Sequence, residues 1–102
     1  MNHGLPEATV ARIQGVLAHF GEVKKAVLYG SRAKGNYHVG SDIDLTLCGP
    51  ALNFDLLGAV ASELDDLLLP YTIDLSIFEQ LDNPDLREHI ERVGVVVFEG
   101  KV

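Results

Sequence analysis

Cysteine is almost missing from this chain: Cys48 stands alone, there is no tryptophan, and the aromatics amount to four phenylalanines and three tyrosines. A single thiol excludes an internal disulfide and any cysteine-rich metal framework. It fits a reducing compartment, and its place in the apolar run "DLTLCG" predicts a buried, inert thiol. Long hydrophobic runs are absent too, and nothing approaches the roughly 18 consecutive apolar residues of a membrane-spanning helix. The opening "MNHGLPEATV" lacks a basic start followed by an apolar stretch, so no secretory signal is expected and a cytoplasmic location is. Basic residues are scarce: 8 Lys and Arg stand against 15 Asp and Glu, for a net charge of −7. That balance argues against a broad surface that grips nucleic acid, but it admits a nucleotide bound through metal ions.

Repeats, low-complexity tracts and linkers are likewise absent. With 102 residues, 47% of them apolar, residues 1–102 are expected to form one globular domain. Ile13, Val16, Leu17 and Phe20 recur at the spacing of one helical face, which predicts a helix from about Glu7 to Phe20 behind Pro6. "KKAVLYG" reads as a strand over Lys25 to Tyr29, and "SDIDLTLCG" as a second, stopped by Gly49-Pro50. Asn53 is placed to cap a long helix reaching about Leu69, with Leu56, Leu57, Val60, Leu64, Leu67 and Leu68 as its apolar face. "YTIDLSIF" alternates like a third strand. A short helix after Pro84 and a final strand "VVVFE" complete an order α-β-β-α-β-α-β, with a further helical turn expected at Ser31 to Lys34. The fold class is therefore α/β (α+β): a small mixed sheet of about four strands flanked by helices.

Strand parity isolates the chemistry. Side chains two apart share a face, so Ile43, Leu45 and Leu47 point one way and Asp42, Asp44 and Thr46 the other. The third strand repeats the pattern, with Thr72, Asp74 and Ser76 opposite Ile73, Leu75 and Ile77. If these strands are neighbours, three carboxylates converge, and such a group repels itself unless it binds cations. Hard oxygen ligands favour Mg²⁺, which commonly shares its shell with phosphates. Upstream, Gly30 permits close backbone approach, Ser31 opens a turn with free N–H groups, and Arg32 and Lys34 add positive charge. Each feature alone is weak, since a lone strand Asp or a "GSR" turn is common without chemistry. Together, linked by the loop "AKGNYHVGS", they describe a nucleoside triphosphate held by its tail and bridged by metal to the carboxylates. Tyr37 and His38 read as solvated loop residues, and His3, His19 and His89 as surface residues without ligand spacing.

The Gly-Ser pair, a gap of ten residues and then "DID" resemble the signature of the DNA polymerase β-type nucleotidyltransferase superfamily. The fuller pattern "GSRAKG…SDIDL", on a short chain, is similar to the minimal nucleotidyltransferase (MNT) branch, and the similarity spans nearly the whole sequence. The resemblance implies metal binding and catalysis by Asp42, Asp44 and Asp74. It implies nucleotide binding by Gly30 and Ser31, with Arg32, Lys34 and Ser41 beside them. Many members carry Arg where this chain has Lys34, which keeps the charge but loses a bidentate fork.

By the same resemblance, ATP is the substrate, two Mg²⁺ ions (or Mn²⁺) are the cofactors, and AMP is transferred with release of pyrophosphate. The branch includes antitoxins of HEPN/MNT toxin–antitoxin pairs, which implies a HEPN-domain ribonuclease as partner and a tyrosine on it as acceptor. An acceptor site is not visible in the sequence, and a second protein is expected to supply it. Two other functions stay open. The chain could neutralise a partner by occlusion without catalysis, or it could modify a small molecule such as an antibiotic.

Overall fold

The computed structural model describes residues 5–30 and 42–100. Helix α1 spans Glu7–Leu17, entered through Pro6 and buried along Thr9, Ile13, Val16 and Leu17. It stops three residues short of the predicted Phe20. There the chain tightens into shorter-range bonds, His19 N–H to the Val16 carbonyl and Phe20 N–H to that of Leu17, before Gly21. Strand β1 then covers Lys25–Tyr29, as the alternation predicts, and β2 covers Ile43–Cys48.

Helix α2, Phe54–Asp65, begins where Asn53 caps it: the Asn53 side chain accepts the Leu56 N–H at 2.8 Å. Its predicted extension to Leu69 needs correction. After Asp65 the Leu67 and Leu68 amides reach back only three residues, and Leu68 takes a left-handed φ of 54°. Leu68 is consequently not on the apolar face but 88% exposed. Pro70, two positions on, restricts the residue before it and keeps the chain from resuming a helix.

Strand β3, Ile73–Ile77, is followed by a single 3₁₀ turn over Phe78–Gln80. Helix α3, Pro84–Val93, starts with proline at its first turn and with Asn83 accepting the Asp85 and Leu86 amides. Strand β4, Val95–Glu99, completes the order.

The four strands form one mixed sheet in the order β3-β2-β1-β4. β1 runs antiparallel to both β2 and β4, whereas β2 and β3 are parallel and joined by the α2 crossover. A register shift between Ala26 and Val27 lets both Val97 and Phe98 of β4 turn toward the core.

The two faces of the sheet differ in kind. Ala26, Leu28, Ile43, Leu45, Leu47 and Ile77 join Leu17, Val23, Val60 and Leu64 in one apolar cluster under α1 and α2. Full burial of such a leucine stabilises the fold by about 1.5–3 kcal/mol. The opposite face carries Lys25, Val27 and Tyr29 of β1 and Asp44, Thr46 and Cys48 of β2. Among the described residues, α3 covers part of it, setting the buried Ile90 and Gly94 over Val27.

Candidate functional site

The parallel pairing of β2 with β3 sets the site. The Ile43 amide donates to the Thr72 carbonyl at 2.8 Å, and the resulting register puts Asp44 directly beside Asp74. Adjacent strands lie roughly 4.8 Å apart, so the two carboxylates are immediate neighbours on one face. Asp44 is half-buried and Asp74 exposed; Asp42 lies one residue before β2 and is also exposed. Burial pushes the Asp44 carboxyl above the ordinary carboxylate range, and the charges of Asp74 and Asp42 push it further the same way. Ion pairs among the described residues, His19–Glu63 and Glu88–Arg92, lie elsewhere and offset none of this repulsion.

Gly30 ends β1 at the same edge of the face. Its φ of +78° lies in the left-handed region, and a Cβ there would collide with Oδ2 of Asp44. The backbone angle favours glycine here, and the missing Cβ lets the Asp44 carboxylate lie against the backbone without shifting. The other predicted phosphate-side residues, Ser31, Arg32, Lys34 and Ser41, lie outside the described residues, as do the helical turn at 31–34 and the loop residues Tyr37 and His38.

Sequence reasoning missed two residues of this face. Tyr29 stands opposite Asp44 in the antiparallel register, and its hydroxyl is hydrogen-bonded to Ser76. Burial raises the Tyr29 phenol above its usual value; the Ser76 bond opposes this, and the charges of Asp44 and Asp74 add to it. Ser76 Oγ in turn donates to Thr46 Oγ1 at 2.9 Å, and Thr46 is wholly buried. His89 was expected at the surface. Instead it is half-buried, its ring edge-on to Tyr29 at 6.5 Å between centroids. The antiparallel pairing of β1 with β2 is the signal that exposes Tyr29, because it transfers the parity of Asp44 to the neighbouring strand. His19 is a surface residue as read, its Nδ1 2.9 Å from Glu63 Oε1.

The far end of the face is a different environment. A pocket of about 500 Å³ opens there between α3 and the sheet, lined by Lys25, Val27, Cys48, Phe78, Glu91 and neighbours. Arg87 braces this end, its guanidinium 4.5 Å above the Phe78 ring and its Nη1 donating to the Phe78 carbonyl at 3.0 Å. Cys48 is half-buried at the pocket rather than sealed in the core, because its parity puts it on the open face. Burial nevertheless raises its thiol, chiefly by desolvation, which keeps it in the unreactive form.

Carboxylate oxygens paired across parallel strands suit a hard divalent cation, and the repulsion that Asp74 and Asp42 exert on Asp44 gives one a reason to bind. Among the described residues, no group of three His, Cys, Asp or Glu side chains is gathered closely enough to hold a metal ion. The donor set among the described residues is the pair Asp44 and Asp74, with Asp42 just outside the strand.

A mixed four-stranded sheet with two helices on its apolar face, and a carboxylate pair beside a left-handed glycine on the other, defines the nucleotidyltransferase class of fold. The chain belongs to the polymerase beta nucleotidyltransferase family, whose sequence model matches residues 11–101. No curated protein matches the chain in sequence. Among solved structures, a toxin–antitoxin complex with AMP-PNP superposes with TM-score 0.71 at 20% identity, over 93% of this chain and 74% of that one. A complex of MNT antitoxin with tri-AMPylated HEPN toxin from Shewanella oneidensis gives 0.68 at 17% identity, over 91% and 71%. A candidate nucleotidyltransferase from Sulfolobus solfataricus gives 0.54 at 18% identity, over 94% and 91%. At these identities the likeness is one of fold. No helix among the described residues is long and apolar enough to cross a membrane.

Proposed function

We propose that this nucleotidyltransferase uses ATP and Mg²⁺ to transfer AMP to a hydroxyl of a partner protein, a tyrosine on a HEPN-domain ribonuclease, and so acts as its antitoxin. The observation that carries the reading is the side-by-side placement of Asp44 and Asp74, with Gly30 packed against Asp44. Such a pair is costly in an apoprotein and useful in a site that handles phosphate and metal together. The likeness to complexes containing AMP-PNP and a tri-AMPylated toxin supports the choice of nucleotide and partner.

When bound, Mg²⁺ supplies charge at the attacking and leaving oxygens of an in-line displacement. Asp42 and Asp44 would hold it at the nucleotide, and Asp74 would hold it beside the acceptor. The acceptor hydroxyl oxygen bonds to the α-phosphorus as the bond from that phosphorus to the pyrophosphate oxygen breaks. Asp74, exposed on that face, would take the hydroxyl proton directly or through water. Gly30 lets the backbone approach the triphosphate, and Ser31, Arg32, Lys34 and Ser41 would neutralise its oxygens.

The test mixes the protein with its HEPN partner, ATP and Mg²⁺, and reads partner mass and ribonuclease activity together. The expected result is a gain of one or more AMP groups with loss of ribonuclease activity, and failure of both with an Asp42→Asn, Asp44→Asn double variant. If that variant silences the partner as well as wild type does, with no mass change, occlusion replaces catalysis.

A further inference from the structure

On the sheet face that carries the carboxylates, Tyr29 belongs to β1 and is paired with Asp44 of β2. Its hydroxyl, however, is bonded to Ser76 of β3, which is paired with Thr46. To run from the Asp44 row on one strand to the Thr46 row two strands away, the ring must cross β2 between Asp44 and Thr46. It therefore forms a wall on the inner side of Asp44. His89 of α3 meets the Tyr29 ring edge-on, and Ser76 is itself tied to the buried Thr46 hydroxyl. Both ends of the wall are thus fastened.

We propose that Tyr29 is a positioning residue of the transfer site: anchored through Ser76 and Thr46, its ring confines the Asp44 carboxylate to the Gly30 side of the face, next to Asp74. The inference rests on the metal-binding reading given above. Two like-charged carboxylates on neighbouring strands would otherwise rotate apart to reduce repulsion, and Asp44 has the Thr46 side of the face as its escape route. The ring closes that route. On the other side, Gly30 leaves no atom beyond its backbone to obstruct Oδ2 of Asp44. A wall behind and a bare backbone in front direct the carboxylate toward Asp74 and Asp42. Supporting contacts of this kind around metal-binding carboxylates fix ligand orientation without touching the metal.

The hydroxyl does the anchoring, so Tyr29→Phe isolates it: the ring and its contact with His89 remain while the tie to Ser76 is lost. Mn²⁺ binding, followed by electron paramagnetic resonance without turnover, is the first readout. Wild-type binding that disappears in Asp44→Asn establishes the carboxylate site. Tyr29→Phe should then weaken Mn²⁺ by about tenfold, the lower end for losing an outer-shell partner, and Ser76→Ala should do the same. Because both changes break one anchor, the double variant should bind no worse than either single variant. In transfer assays kcat should fall by a similar factor while KM for the nucleotide stays within about twofold, since the phosphate loop is untouched. A Tyr29→Phe protein that binds Mn²⁺ as wild type does overturns this inference alone, as do fully additive losses in the double variant. A wild-type protein that binds no Mn²⁺ overturns the functional reading first, and this inference with it.

Discussion

At Asp44, burial and two neighbouring carboxylates all act in one direction, holding its proton to a higher pH in the folded protein than the ordinary value of 3.8. The folded state therefore binds more protons than the unfolded chain between that value and the raised one. Stability from this group is fully present below the unfolded value and is lost as pH rises through the folded one. At neutral pH the metal-free fold carries that deficit in full. Asp44→Asn should accordingly raise the Tm of metal-free protein at pH 7, with a gain that shrinks as the pH falls through the raised folded value and is gone below 3.8. Thermal melts across pH in the presence of a chelator measure it. A gain that is absent at pH 7, or that grows on acidification, would contradict the strain assigned to this carboxylate. The parity of Asp44 and Asp74 was legible from "DIDL" and "IDLS" alone. Their adjacency was not, because it depends on which strands pair and in which register. Tyr29 was invisible for the same reason: in "AVLY" it reads as one more apolar strand residue until β1 is known to lie beside Asp44.

At the scale of elements, the sequence marks the strands more sharply than the helix ends. β1 and β4 have the predicted bounds, because Gly30 and Gly94 interrupt clean runs of strand-forming residues. α2 overran its true end because leucines continue through positions 67, 68 and 69 after the backbone has already turned. A hydrophobic pattern reports burial of a face, whereas the end of a helix is decided by backbone bonds that leave no apolar trace. Leu68 and Ile90 make opposite predictions from this distinction. Leu68 is exposed and left-handed, a conformation that costs a leucine roughly 1–2 kcal/mol and asparagine less. Leu68→Asn should therefore stabilise the protein by about 0.5–1 kcal/mol. Ile90 is 3% exposed and is the buried anchor of α3 on the polar face, so Ile90→Ala should cost about 2–5 kcal/mol. Urea denaturation of the two variants decides both signs. A destabilised Leu68→Asn would mean that the leucine side chain is held by contacts other than the described ones.

For the whole molecule, the division of the sheet into an apolar face and a polar one organises everything else. Helices α1 and α2 seal the first face and supply the stability; among the described residues, α3 packs on part of the second. The acidic balance of the chain, −7 overall, adds to the repulsion within the site and favours cations there over nucleic acid. Family membership follows from the sequence match and the fold, and the central proposal is the division of labour among the aspartates. Transfer of labelled AMP from ATP by Asp74→Asn, measured beside nucleotide affinity for the same variant, is the most direct measurement. Triphosphate binding should persist, because Gly30, Ser31 and Asp44 are untouched, while transfer should fall by at least about 100-fold, the lower end for losing an acid–base group. Near-normal transfer by Asp74→Asn would contradict the account, since the pairing of Asp74 with Asp44 would then have no part in the chemistry.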